Sequence, residues 1–239
     1  MKKTILHLKQ TLLHLASVAL LASPWSGPAA TASAAFDALT AREAAGGLHE
    51  ALSKGIDVAV SQLGAKNGFL NDPKVAIPLP EPLERAERAL TMIGMGGQGE
   101  ELRTAMNHAA ENAVSQARPV FTQALKRMTL ADAKAILTGG DDAGTQYFRR
   151  ATSTQLSAKF RPVVAAETAK LGLARKYNEY AGKAAQVGLI SSQTANLDDY
   201  VTSKALDGLF SRIADEERAI RKDPLSQGSD LVKKVFGAL

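Results

Sequence analysis

Between Leu137 and Arg150 the chain gathers Gly139, Gly140, Asp141, Asp142, Gln146, Tyr147, Arg149 and Arg150. The glycines stop one helix, and the aspartates meet the start of the next, whose unpaired N–H groups favour acids. Asp142, Gln146, Arg149 and Arg150 fall on one helical face, with Tyr147 one turn into the helix. Carboxylate, guanidinium and phenol groups held together can grip a polar ligand through charge-assisted hydrogen bonds. Asp141, Asp142, Gln146, Tyr147, Arg149 and Arg150 are therefore the candidate ligand- or partner-binding residues. The same residues also spell an ordinary helix start, with Asp141 or Asp142 as N-cap and ion pairs along the surface.

Other chemistries fail on spacing or on missing residue types. Gly94, Gly96 and Gly99 match G-x-G-x-x-G, but a dinucleotide site needs a strand before the glycines and a helix after them. Here a helical pattern precedes them, so the glycines read as a helix–helix turn. His108 and Glu111, three apart on one helix, have a spacing that can bind metal, with His49 or Glu50 as conceivable partners. The set is too small, and no metal is expected. Asp141-Asp142 opens like a calcium loop, yet its twelfth position is Thr152 where a glutamate is required. No serine sits in a G-x-S-x-G elbow, and with no cysteine there is no thiol chemistry or disulfide. No catalytic residue and no cofactor is assigned.

The N-terminus reads as a secretory leader. Lys2, Lys3 and Lys9 give the positive region, Leu12–Ala22 the apolar run, and Ala32-Ser33-Ala34 the small residues that a signal peptidase reads. Cleavage is expected after Ala34, which makes residues 1–34 a signal peptide and 35–239 one helical domain. The apolar run is about half the ~20 residues that span a bilayer, and no later stretch approaches that length. Removing the leader lowers the 29 basic residues to 26 against 24 acidic ones, a net charge of +2. There is no Lys/Arg block interleaved with aromatics, which argues against nucleic-acid binding. A periplasmic protein is expected, with secretion as the other exported destination.

The elements that must hold the candidate residues read as helices. Alanine is abundant, aromatics are 5% of the chain and β-branched runs are short, a balance that favours helix. Thr40 to Glu43 matches a capping box, so a helix should run from about Ala41 to Leu63, with Gly46 and Gly47 as a weak point or a close-packing spot. Residues 66–82 hold Gly68, Pro73, Pro78, Pro80 and Pro82 around the alternating Val75, Ile77 and Leu79. That pattern gives one short extended or β strap laid over the helices, with its apolar residues inward.

Helical spacing resumes at Leu83, Ala86, Leu90 and Ile93, then over Leu102–Met128, then in a short helix capped by Thr129 and ending near Leu137. The helix that follows has the core stripe Phe148, Thr152, Leu156, Phe160 and Val163. Further helices are expected at 173–187, 197–221 and 229–236, with Asp198 and Arg221 matching the dipole of their helix. Arg118-Pro119-Val120 and Arg161-Pro162-Val163 hint at a 43-residue repeat in which each proline kinks its helix. The fold class is all-α: a single multi-helix domain with two proline-kinked helices and one strap.

Several phrases are specific: Gly68 to Asn71, Lys74 to Pro80, Ile136 to Ala143, Tyr147 to Arg149 and Asn196 to Phe210. Over nearly all of the chain beyond the leader they resemble an exported bacterial family, domain of unknown function 4197. The resemblance implies a Gram-negative envelope protein and carries over no activity, ligand or catalytic residue. Gly144 stands where the pattern has alanine, which would loosen the helix start. Two functions follow as expectations. One is a non-catalytic exported protein that binds a ligand or envelope partner between its helices. The other is a hydrolase or other enzyme using Asp141, Asp142, Tyr147, Arg149 and Arg150. A cleft with the acids turned inward would favour the enzyme, whereas a filled core with those groups facing water would favour a scaffold.

Overall fold

A computed structural model describes residues 41–92, 97–186, 195–227 and 229–237. The leader, the Thr40 cap position and Gly94–Gly96 lie outside them. The described chain is all-α, with ten helices and no strand among the described residues: α1 Ala41–Leu63, α2 Glu81–Met92, α3 Gln98–Val114, α4 Arg118–Arg127, α5 Leu130–Leu137, α6 Ala143–Thr168, α7 Gly172–Gln186, α8 Leu197–Lys222, α9 Pro224–Gln227 and α10 Asp230–Phe236. None is long and apolar enough to cross a membrane.

The two longest helices, α6 and α8, lie against each other, and α3 packs on both. On α6 the buried stripe is Phe148, Thr152, Leu156, Phe160 and Val164. Four-residue steps continue to its end, so Val164 takes the inward place expected of Val163. On α8 Val201, Ala205, Leu209, Phe210, Ile213 and Ile220 are buried. Phe121 of α4 meets Phe148 and Phe210 edge-on, with ring centroids 5.4 and 6.1 Å apart, the arrangement that ring quadrupoles favour. α1 closes the other side of α8 and is itself covered by α10. Gly47 is a close-packing spot: a Cβ there would lie 2.6 Å from Val235 of α10.

The helix expected over Leu102–Met128 is two. α3 ends at Val114, and Pro119 sits in the first turn of α4, where its missing N–H costs nothing because that group has no intrahelical partner. Pro162, by contrast, lies inside α6, which continues to Thr168. The two Arg-Pro-Val triplets thus occupy different settings, and the proposed repeat has no structural counterpart there.

The strap is a series of turns over 64–75 followed by an extended stretch over 76–80 with no ladder. Phe69, Val75, Ile77 and Leu79 are buried beneath it. Its backbone is held by two polar side chains of α3. The Asn107 carbonyl accepts the Ile77 N–H at 2.8 Å and its amide donates to the Ile77 carbonyl at 3.0 Å. Glu111 accepts from the N–H groups of Asn67, Phe69 and Leu70 at 3.0–3.3 Å. Asn107 and Glu111 are 0% and 4% exposed, so each serves as the internal partner that a ladder would otherwise supply.

Candidate functional site

The six candidate residues lie on the turn after α5 and the first two turns of α6. Asp142 occupies the N-cap position of α6, but its side chain makes no capping hydrogen bond. The helix start is sealed from the other side. Glu217 of α8, 4% exposed, accepts from the Gly144 N–H at 2.9 Å, the Thr145 N–H at 2.8 Å and the Thr145 hydroxyl at 2.8 Å. Arg221, one turn further along α8, donates to the same carboxylate at 2.9 Å and to the Ile136 carbonyl at the end of α5, also at 2.9 Å. One buried acid thus terminates one helix, and its arginine partner terminates another. Such a charge is tolerable inside only when every lone pair is met. The expectation of an aspartate cap is corrected: the anion at the helix N-terminus comes from a helix 72 to 73 residues away in sequence.

This arrangement gives Gly144 its reason. A Cβ there would lie 2.6 Å from a terminal carbon of Leu52 and 3.1–3.2 Å from both Glu217 carboxylate oxygens. Glycine does not loosen the start, because it lets the carboxylate reach the backbone. The space beside Glu217, between α1 and α8, amounts to about 10 Å³, room for a single water at most.

The candidate side chains do not converge. Asp141 is exposed. Asp142 accepts from the Gln146 amide at 3.2 Å. Tyr147 is half-buried on α4 and donates to the Ala124 carbonyl at 3.3 Å. Burial first, and the Asp132 charge second, push the Tyr147 hydroxyl pKa above its ordinary value. Arg149 turns towards α8, pairing with Asp207 at 3.1 Å and lying 4.6 Å over the Phe210 ring. Arg150 is exposed on the other flank, near the Asp132 carboxylate of α5. The adjacent arginines therefore serve opposite sides of the helix. What remains together is an outer face made of Gln146, Tyr147 and Arg150, with α4's exposed Arg127 close enough for its charge to act on the Tyr147 hydroxyl.

His108 and Glu111 also have assigned work. The His108 ring nitrogen lies 2.9 Å from the Asn67 side-chain oxygen, and the Glu111 carboxylate is occupied by the strap. Among the described residues no group of three or more His, Cys, Asp or Glu could hold a metal ion.

The sequence reading missed Glu217 and Asn107 as structural centres. Their signal was present as a polar residue on a core stripe. Glu217 falls four residues after Ile213 and three before Ile220, while Asn107 falls beside Met106 and four before Glu111, on a helix whose other inward positions are apolar.

The model of a family described as "Protein of unknown function (DUF4197)" matches residues 38–237. No curated protein and no solved structure matches the chain.

Proposed function

The chain belongs to this family, whose match spans residues 38–237, and from that premise we propose that it is an exported, non-catalytic helical protein that binds a partner through the outer face of α6. The first step of the reading is the leader: residues 1–34 are removed and residues 35–239 work as one helical domain in the periplasm. The second step is the site. The observation that carries it is that Glu217 takes the Gly144 and Thr145 N–H groups that a small anionic ligand would use at the α6 start, while Asp141, Gln146 and Arg150 face water.

A face that offers a half-buried tyrosine and two unburied arginines has the composition of protein-interface anchors, in which Tyr and Arg are enriched. An enzyme using Asp141 and Asp142 would need them turned into a cleft, whereas one is exposed and the other is bound to Gln146.

The reading is tested by fractionating cells that express the full chain and determining the N-terminus and intact mass of the purified protein. The expected product comes from the periplasmic fraction, begins close to Ala35 and lacks Trp25, the one tryptophan. A cytoplasmic product that retains Trp25 would overturn it.

A further inference from the structure

Three helix ends meet at the far end of α6: its own last turn, the first turn of α7 and the first turn of α8. Between them is a cleft of about 240 Å³ with walls of alanine and four polar residues, Thr168, Arg175, Asn178 and Asp198. The charges around its rim are spent on one another. Glu167 pairs with Lys170 at 2.6 Å, and Asp199 with Arg161 at 2.5 Å. Inside the cleft the balance differs. Arg175 is exposed and makes no ion pair with a described residue. Asp198 accepts from the Thr168 hydroxyl through one oxygen, which leaves its second oxygen without a described donor. Asn178 uses its carbonyl oxygen on the Leu197 N–H at 2.7 Å, so its remaining capacity is as a donor.

A ligand of one charge sign fits this set poorly. An anion drawn to Arg175 shares a small space with the Asp198 carboxylate, and a cation drawn to Asp198 shares it with the guanidinium. A ligand carrying both signs satisfies both groups. Its carboxylate would take the arginine fork and the Asn178 amide, and its ammonium group the free oxygen of Asp198. The space, about 240 Å³, holds several waters and has room for a ligand the size of a free amino acid. The alanine walls suit an apolar side chain. The geometry points to a binding site for a free α-amino acid in the cleft between α6, α7 and α8. It lies at the opposite end of α6 from the partner face and does not depend on it.

The site is tested by isothermal calorimetry on protein purified from cells, titrated with the common amino acids and then with the N-acetyl and the C-terminal amide forms of the best binder. Saturable binding is expected, at least tenfold weaker when either end of the ligand is blocked. Arg175→Ala and Asp198→Asn should each weaken it at least tenfold, whereas Lys176→Ala on the same helix should leave it unchanged. The asparagine keeps an acceptor for Thr168, and the blocked ligands decide the matter even if a variant melts early. Heats with no saturation for every amino acid at millimolar concentration would overturn the site. Equal binding of the acetylated or amidated form would also overturn it.

Discussion

Glu217 carries more of this structure than any residue that drew attention by its motif. Its carboxylate accepts from two backbone N–H groups, a hydroxyl and an arginine while nearly excluded from water. Glu217→Ala leaves those donors and the Arg221 charge unpaired, and should cost about 3–5 kcal/mol, the usual penalty for breaking a buried pair from one side. Asp142→Ala removes no capping bond and should cost less than about 0.5 kcal/mol. Thermal melts of the two variants read the contrast. Gly144→Ala should cost about 1–3 kcal/mol by overpacking against Leu52 and Glu217, although alanine ordinarily stabilises a helix. This scale was the least legible in the sequence. Local rules correctly located the helix start, and they named the nearest acids as its cap. A cap supplied from a distant helix leaves no trace in the neighbouring residues, only an acid out of place on a stripe elsewhere.

At the scale of elements the sequence was far more informative. α1, α5, α8 and α10 fall where periodicity and caps place them, because each has a long apolar stripe or a strong local stop. Thr129 caps α5 in a reciprocal box with Asp132. The break at Ser115–Ala117 was hidden because the apolar spacing runs on through both α3 and α4, and only Pro119 marks it.

The Asp132 carboxyl is held below its ordinary value of 3.8, first by the Thr129 hydroxyl, then by the Thr129 N–H, with the Arg150 charge adding to them. A lowered folded-state pKa stabilises the protein above the ordinary value, and the benefit is lost as pH falls through the depressed one. Asp132→Asn should therefore melt below the parent at neutral pH, with the gap closing as pH falls below 3.8. The strap offers a second test. Ile77 is 1% exposed, and Ile77→Asp should destabilise by about 4 kcal/mol or more, the cost of burying an unpaired charge. Asn107→Ala strands both polar groups of the Ile77 backbone and should cost about 2–4 kcal/mol. Unchanged chemical denaturation midpoints would show that the strap is a solvated linker.

Across the whole molecule one buried cluster joins α1, the strap and the long helices α3, α6 and α8. The core is filled where the candidate segment meets it, so the polar side chains Asp141, Gln146 and Arg150 face outward. The proposed leader and the proposed partner face on α6 together make the proposal of an exported binding protein. Its most direct test is site-specific photo-crosslinking in intact cells, with a photoreactive amino acid at Gln146 or Arg150 and, as control, at Leu225 on α9, which is 72% exposed. The account predicts a discrete crosslinked species in the periplasmic fraction from position 146 or 150 and none from 225. No adduct from either α6 position, or the same adduct from all three, would contradict it.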